Sequence, residues 1–485
     1  MQDSSTGSAG AGLHTGWNGR LVGVVAVLAL VNFMVDSAIT APLLVLPEML
    51  DHFETDQAAW LNSSAILAGV LWAPLLAKSA DIHGKRKVLV LTLLVSGAGA
   101  VVCAVAPSIW VFVPGRLLQG AAVAAMFLAV AIVRDVFAHR TAMVVVGIVT
   151  SGSAVLNIGS RFLVERLAAE FGFQVLFVVA AVVAAAMAVC VVLVIPESRV
   201  RTPGRIDVAG ALLLGSGLAG VLSYISLGSA LGWLAVGPLA LLVAGAAALA
   251  RWFLVSSRKP EPLIDVRNLG LPLVLTLLVL FLAAGSYQSV LQLIPLIADV
   301  SAGQQLGYGL ADQGSVALLL ALPAIGVTLG GPLSGLLATR IGPAATLAGA
   351  VLLGLVGVLG MFLGASQLPA ALASAFLLGL TVGALGTAGF NMAGSLAPAD
   401  RQGVVAGLVM VVIAIGSVVL NFVGAAVLAS TAVVVDGDPV NGDTVNTAAG
   451  VFGCIAIAAV AFAAAAVLAV QLVREPRSVR AESRS

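Results

Sequence analysis

A succession of apolar runs, each about as long as a bilayer is thick, constrains this chain more than any other feature. A helix needs roughly 20 apolar residues to cross a hydrocarbon core. Inside that core the backbone finds no water, so each run must satisfy its own amides as a helix. Such runs begin near residues 21, 58, 88, 110, 142, 174, 207, 233, 271, 315, 343, 369, 402 and 447, fourteen in all. Most are separated by turns as short as Ala106-Pro107-Ser108. The two runs between Asp207 and Val255 are as apolar as the rest, so a twelve-run reading would leave them as a greasy loop. Only 9% of the 485 residues are charged, against about 25% in soluble domains. The sequence predicts an all-α polytopic membrane protein with 14 transmembrane helices.

Composition also excludes function classes. A net charge of +1 gives no basis for nucleic-acid binding. Cys103, Cys190 and Cys454 lie in apolar stretches without metal-ligand or CxxC spacing, and no His/Cys/acid cluster points to a metal. No phosphate-binding G-x-x-x-x-G-K-[ST] pattern is present, so ATP is not expected to drive the protein from its own chain. No nucleophile–base motif suggests an enzyme. The expectation is a protein without cofactors, with a proton gradient as its energy source, working as a monomer. Residues 1–19 are polar and rich in Gly and Ser, with no cleavable signal expected before the first run.

Charge sets the orientation. With the N-terminus inside, the inner connections hold Lys78, Lys85, Arg86, Lys87, Arg134, Arg140, Arg199, Arg201, Arg205, Arg258, Lys259, Arg267, Arg340 and Arg401. Arg251 and the arginines from Arg474 onward fall on the same side. The outer connections carry Glu48, Asp51, Glu54, Asp56, Asp299, Asp312, Asp436, Asp438 and Asp443. This asymmetry places both termini in the cytoplasm. The excess of Arg over Lys, with abundant Ala, Val and Gly, points to a bacterial source and hence to the inner membrane.

Against this background, polar residues deep in a run stand out. Asp36 lies near mid-depth of the first run, where an ionised carboxylate costs about 2.5–3.5 kcal/mol on insertion scales. Asn32, four residues earlier, shares its helix face. In the fifth run Arg161 and Glu165 are four apart, which allows an ion pair at an outer gate or a plain interfacial pair. The ninth run carries Tyr287, Gln288 and Gln292, suited to a substrate contact or to bonds between helices. Gly379, Gly383, Gly386 and Gly389 form a stripe in the twelfth run, read as close helix packing, with Asn391 just beyond.

A repeat divides the chain. Ala77, Asp81 and Gly84 leave the second run; Gly335, Thr339 and Gly342 leave the tenth at the same spacing, a small residue, a polar one and a glycine. Two such junctions imply two related halves, a common transporter construction. The stretch from Ala77 through Asp81, Gly84, Lys85 and Arg86 resembles the G-x-x-x-D-R-x-G-R-R signature of the major facilitator superfamily, with Ala77 and Ile82 as departures. Pro114-Gly115-Arg116-Leu117-Leu118-Gln119-Gly120 is similar to that superfamily's R-x-x-Q-G motif. Pro196-Glu197-Ser198-Arg199, Arg205-Ile206-Asp207-x-x-Gly210 and Pro262-Leu263-Ile264-Asp265 resemble its fourteen-helix drug:proton antiporter branch. The G-P-x-x-G-G motif of that branch is missing from the fifth run, which reads Gly159-Ser160-Arg161-Phe162-Leu163-Val164.

The resemblance implies two pseudo-symmetric six-helix bundles, 21–198 and 266–473, an inserted helix pair within 199–265, and cytoplasmic tails 1–20 and 474–485. It implies that the first, fourth, ninth and twelfth helices line a central cavity, with Asn32, Asp36, Arg116, Gln119, Tyr287, Gln288 and Gln292 as substrate-binding candidates. Asp36 and Arg116 would be a coupling pair, protonation of one freeing the other. Asp81, Gly84, Lys85 and Arg86 would form a cytoplasmic gate, with Asp81 meeting Arg134 when that side is closed. The implied activity is export of hydrophobic small molecules, drugs or secondary metabolites, against inward proton flow. The missing motif leaves uncoupled metabolite or lipid-like facilitation open, and a transport-inactive membrane sensor is a further alternative.

Overall fold

The computed structural model describes residues 19–55, 58–198, 207–259, 270–291, 293–298, 313–397, 402–431, 433–434, 444–445 and 447–474. The apolar runs are helices. The first group comprises α1 (Gly19–Leu44), the short α2 (Leu46–His52), α3 (Ala58–His83), α4 (Lys85–Ala104), α5 (Ile109–Gln119), α6 (Val123–Val136), α7 (His139–Ser151), α8 (Ser153–Phe171) and α9 (Gln174–Val194). Then come α10 (Val208–Leu231) and α11 (Val236–Ser256). The last group comprises α12 (Leu271–Leu291), α13 (Leu293–Ala298), α14 (Gln313–Ile341), α15 (Pro343–Gly364), α16 (Leu368–Leu396), α17 (Gln402–Thr431) and α18 (Ala448–Arg474). Between α17 and α18, Val433–Val434 pairs antiparallel with Thr444–Val445, a two-residue exception to the all-α expectation. Among the described residues, eleven helices are long and apolar enough to cross a membrane.

Helices α1 to α9 pack on one another, as do α12 to α18, and the hairpin of α10 and α11 rests on α3 and α17. Hydroxyls inside the helices bond back to their own turns: Thr150 Oγ1 donates to the Val146 carbonyl at 2.8 Å and Thr381 Oγ1 to that of Leu377 at 2.8 Å. Such bonds let a polar side chain sit in an apolar run without a cross-helix partner. Two glycines of the α16 stripe, Gly379 and Gly383, serve close packing, whereas a Cβ on Gly386 would meet nothing within 4 Å. A Cβ on Gly379 or Gly383 would run into the backbone of α14 at Pro323 or Val327.

The repeated junctions are equivalent in three dimensions. Gly84 precedes α4 with φ 104° and Gly342 precedes α15 with φ 89°, a region that side-chain-bearing residues rarely adopt. Both turns lie at the end of the molecule where α1 begins and α18 finishes, here termed the base. The motif around Asp207 has a local task as well. Its Oδ1 accepts from the Gly210 amide at 2.8 Å, capping α10, and pairs with Lys259 Nζ beyond the end of α11. One carboxylate therefore ties both ends of the hairpin at the base.

Lys85 and Arg86, expected at a cytoplasmic gate, find their partners within the first helix group. Lys85, 1% exposed, pairs with Asp135 Oδ1 at 2.6 Å, and Ser198 Oγ donates to the other oxygen of that carboxylate. Arg86 reaches the end of α9, donating to the Ile195 carbonyl at 3.2 Å and pairing with Glu197 at 3.6 Å. Both cations bind partners inside the first helix group, so they brace it and do not join it to the second. Breaking a buried pair by removing one member strands the other charge and costs about 3–5 kcal/mol. Asp135→Ala is accordingly expected to lower the melting temperature of the detergent-solubilised protein strongly, and Lys85→Met combined with Asp135→Leu to recover most of the loss.

Candidate functional site

The only carboxylate at mid-depth of α1 is Asp36, half-buried where α1 faces α8. Its Oδ2 accepts from Ser153 Oγ at 2.7 Å and from Asn157 Nδ2 at 3.4 Å. Ser153 and Asn157 are four apart on α8, one turn, so a single face presents both donors. Ser37 Oγ donates to Asn157 Oδ1 at 3.3 Å, which links four polar side chains between the two helices, a half-circle here termed the ring. No hydrogen bond engages Asp36 Oδ1 within the described residues. One turn nearer the base, the buried Asn32 donates to the Val149 carbonyl at 2.8 Å, joining α1 to α7.

Arg116 does not pair with Asp36, contrary to the expected coupling pair. Its guanidinium is fully buried; Nη1 donates to the Ala38 carbonyl at 3.1 Å and to Gln119 Oε1 at 2.5 Å. Gln119 lies three residues away on α5 and reaches the same guanidinium because one turn separates them. Arg116 Nε and Nη2 and Gln119 Nε2 have no hydrogen-bond partner among the described residues. The charge that the resemblance assigns to Asp36 is thus anchored on the backbone of α1, two residues along the chain. A carboxylate supported by neutral donors has a different chemistry from one locked to a cation: it can gain a proton without leaving a buried positive charge unpaired.

The described hydrogen bonds between the two helix groups lie toward the base, while α14 also packs on α8 above them. Arg134 Nη2, at the end of α6, donates to the Phe390 carbonyl at 2.7 Å and to Asn391 Oδ1 at 3.3 Å. Asn391 Nδ2 donates in turn to the Met143 carbonyl on α7 at 3.1 Å. Asp81, 4% exposed, lies against the backbone amides of Gly403 and Val404 in the first turn of α17, with its Oδ2 buried and without a hydrogen bond among the described residues. This puts a carboxylate at the positive end of a helix. Asp81 therefore meets helix amides and not Arg134, its expected partner, while both residues do bridge the groups. Gly147 and Gly331 bring α7 against α14 so closely that a Cβ on either would strike the other's backbone. The topmost bond of this seam joins Thr150 and Thr387 at 3.3 Å. It lies just below Gly152, where α7 gives way to α8, and hence just below the ring around Asp36.

Other expected residues fall elsewhere. Tyr287 is buried in α12. Gln292 and the side chains of Arg161, Glu165 and Gln288 lie outside the described residues. Ser153, Asn157, Asn391 and Asp135 carry contacts that sequence reasoning did not assign. The signal for the first two was present: polar residues four apart inside an apolar run, the pattern that singled out Asn32 and Asp36.

The family model described as Major Facilitator Superfamily matches residues 26–211, 205–421 and 301–485. The chain is 27% identical over 354 residues to the uridine/deoxyuridine transporter of Lactococcus lactis subsp. cremoris, covering 69% of this chain and 71% of that one. It is 25% identical over 395 residues to the multidrug resistance protein Stp of Mycobacterium tuberculosis, covering 79% of this chain and 71% of that one. Among solved structures, the proton:xylose symporter XylE superposes with a TM-score of 0.65 at 14% identity, over 94% of this chain and 96% of that one. At that identity the likeness shows the fold alone.

Removing the Arg134 bridge should loosen the base. Hydrogen bonds to charged groups contribute about 1.5–3 kcal/mol each. Arg134→Ala is expected to raise the alkylation rate of a cysteine placed at Thr387, probed from the base side in a cysteine-free background, by about ten-fold or more.

Proposed function

The chain belongs to the major facilitator superfamily, and on that premise we propose that it is a secondary active exporter working by alternating access. Its substrates are hydrophobic small molecules, drug-like compounds or secondary metabolites, and their exit is coupled to proton entry. The base is the cytoplasmic side, in line with the lysines and arginines of the connections there. The fourteen crossings of this reading add α3, the interrupted α7 and α8, and α10 to the eleven apolar helices. Residues 21–198 and 266–473 are the two moving bundles, with 199–265 holding the inserted pair.

The observation that carries this reading is the support of Asp36 by Ser153 and Asn157. Proton coupling needs a carboxyl that is stable in both protonation states. A neutral Asp36 strands no cation, and an ionised one keeps two donors. The contacts of Asp81, Arg134 and Asn391 close the base, so Asp36 would take its proton from the opposite, outer side. Loss of the Asp36–oxygen bonds to α8 would then act just above the seam between α7 and α14. The resistance protein among the relatives supports the drug-like substrate class.

Uncoupled facilitation is the second reading, favoured by the absence of an Asp36–Arg116 pair. Proteoliposomes with an imposed pH gradient separate the two. Substrate flux is expected to follow the gradient, and Asp36→Asn to abolish that dependence while the protein keeps its melting temperature. Gradient-independent flux in the unaltered protein would overturn the antiport reading.

A further inference from the structure

The ring around Asp36 has a donor and acceptor order that no contact among the described residues uses up. The carboxylate fixes the Asn157 amide: its NH2 must face Asp36 Oδ2, which leaves Asn157 Oδ1 to accept from Ser37. Three capacities remain. Among the described residues, Asp36 Oδ1 accepts nothing, Ser37 Oγ has donated and keeps lone pairs to accept with, and Asn157 Nδ2 retains its second N–H. All belong to half-buried residues at one level of α1 and α8. Two acceptors beside one donor complement a group that both gives and receives hydrogen bonds.

We propose that this ring selects substrates carrying an uncharged head that donates and accepts hydrogen bonds, a diol, hydroxyl–amide or imide edge, on an apolar body. Lipophilic permanent cations without N–H or O–H are disfavoured. Such a cation could use the negative charge of Asp36, but would leave the spare Ser37 lone pairs and the second Asn157 N–H unmatched and covered. Sites built around hydrogen bonds reject analogues lacking them far more sharply than apolar pockets reject a missing methylene. The inference rests on Asp36 being the substrate-facing carboxylate of the proposed transporter, and it is independent of whether flux is coupled to protons.

Three probes test it by equilibrium binding to the purified full chain in nanodiscs, with no gradient present. Chloramphenicol is uncharged, with two hydroxyls and an amide N–H on an aromatic body; its diacetate masks both hydroxyls; tetraphenylphosphonium is a permanent cation without donors. Chloramphenicol is expected to bind about ten-fold or more tightly than either of the others, the scale of one lost hydrogen bond to a charged group. Asn157→Leu should erase that preference. Ser37→Ala, a milder change on an otherwise intact helix, should reduce it while the melting temperature stays constant. Equal binding of the diacetate, preference for tetraphenylphosphonium, or no binding of any probe would overturn the proposal. Selective binding with gradient-independent flux would remove the antiport reading and leave this one standing. Gradient-driven flux of tetraphenylphosphonium would do the reverse.

Discussion

A polar group surrounded by hydrocarbon must find its partner within the protein, and the rest of the structure follows from that requirement. The backbone meets it by forming helices. Hydroxyls meet it by bonding to their own preceding turn, as Thr150 and Thr381 do. Side chains with more capacity must reach across to a neighbouring helix, and each such reach pins two elements together. Asn32 to Val149, Ser153 to Asp36 and Asn391 to Met143 are bonds of this kind. Interhelical bonds in membranes contribute only about 0.6–2 kcal/mol each, enough to choose between arrangements without freezing one of them.

That scale gives meaning to where the charges are placed. Lys85, Arg86, Asp135 and Glu197 form pairs within the first helix group, where a permanent bond makes a rigid body. Across the seam the contacts are of another type: Asp81 on helix amides, Arg134 on a carbonyl and an amide oxygen, two threonines, and glycines in backbone contact. These are single-sided interactions that water could replace if the base opened. Strong pairs inside a body and exchangeable bonds between bodies are what a two-state rocking movement requires.

Much of this was legible in the chain. The apolar runs marked the helices, the spacing of Ala77, Asp81 and Gly84 against Gly335, Thr339 and Gly342 marked two equivalent junctions, and both glycines adopt positive φ. The close packing of Gly379 and Gly383 in α16 was readable because small residues at helical spacing leave only backbone to meet a neighbour. Partner choice was not legible. Lys85 and Arg86 read as gate residues because their motif sits at a helix end near the seam, yet each turns toward its own group. Asp36 read as a partner of Arg116 because opposite charges in a low dielectric attract; the guanidinium instead finds the Ala38 carbonyl and Gln119.

The sequence by itself determined what each helix is and which residues share a face, because a helix has a fixed period and hydrocarbon leaves the backbone no alternative. It also determined that Asp36 must be accommodated, since a carboxylate at that depth is costly wherever its helix lies. Only the tertiary structure decided how. Asp36 and Ser153 are 117 residues apart, and they meet because α1 approaches α7 and α8 closely. Those approaches join segments far apart in the chain, so no local pattern encodes which face will oppose Asp36. The result is a carboxylate cradled by neutral donors, with no bond to its other oxygen among the described residues.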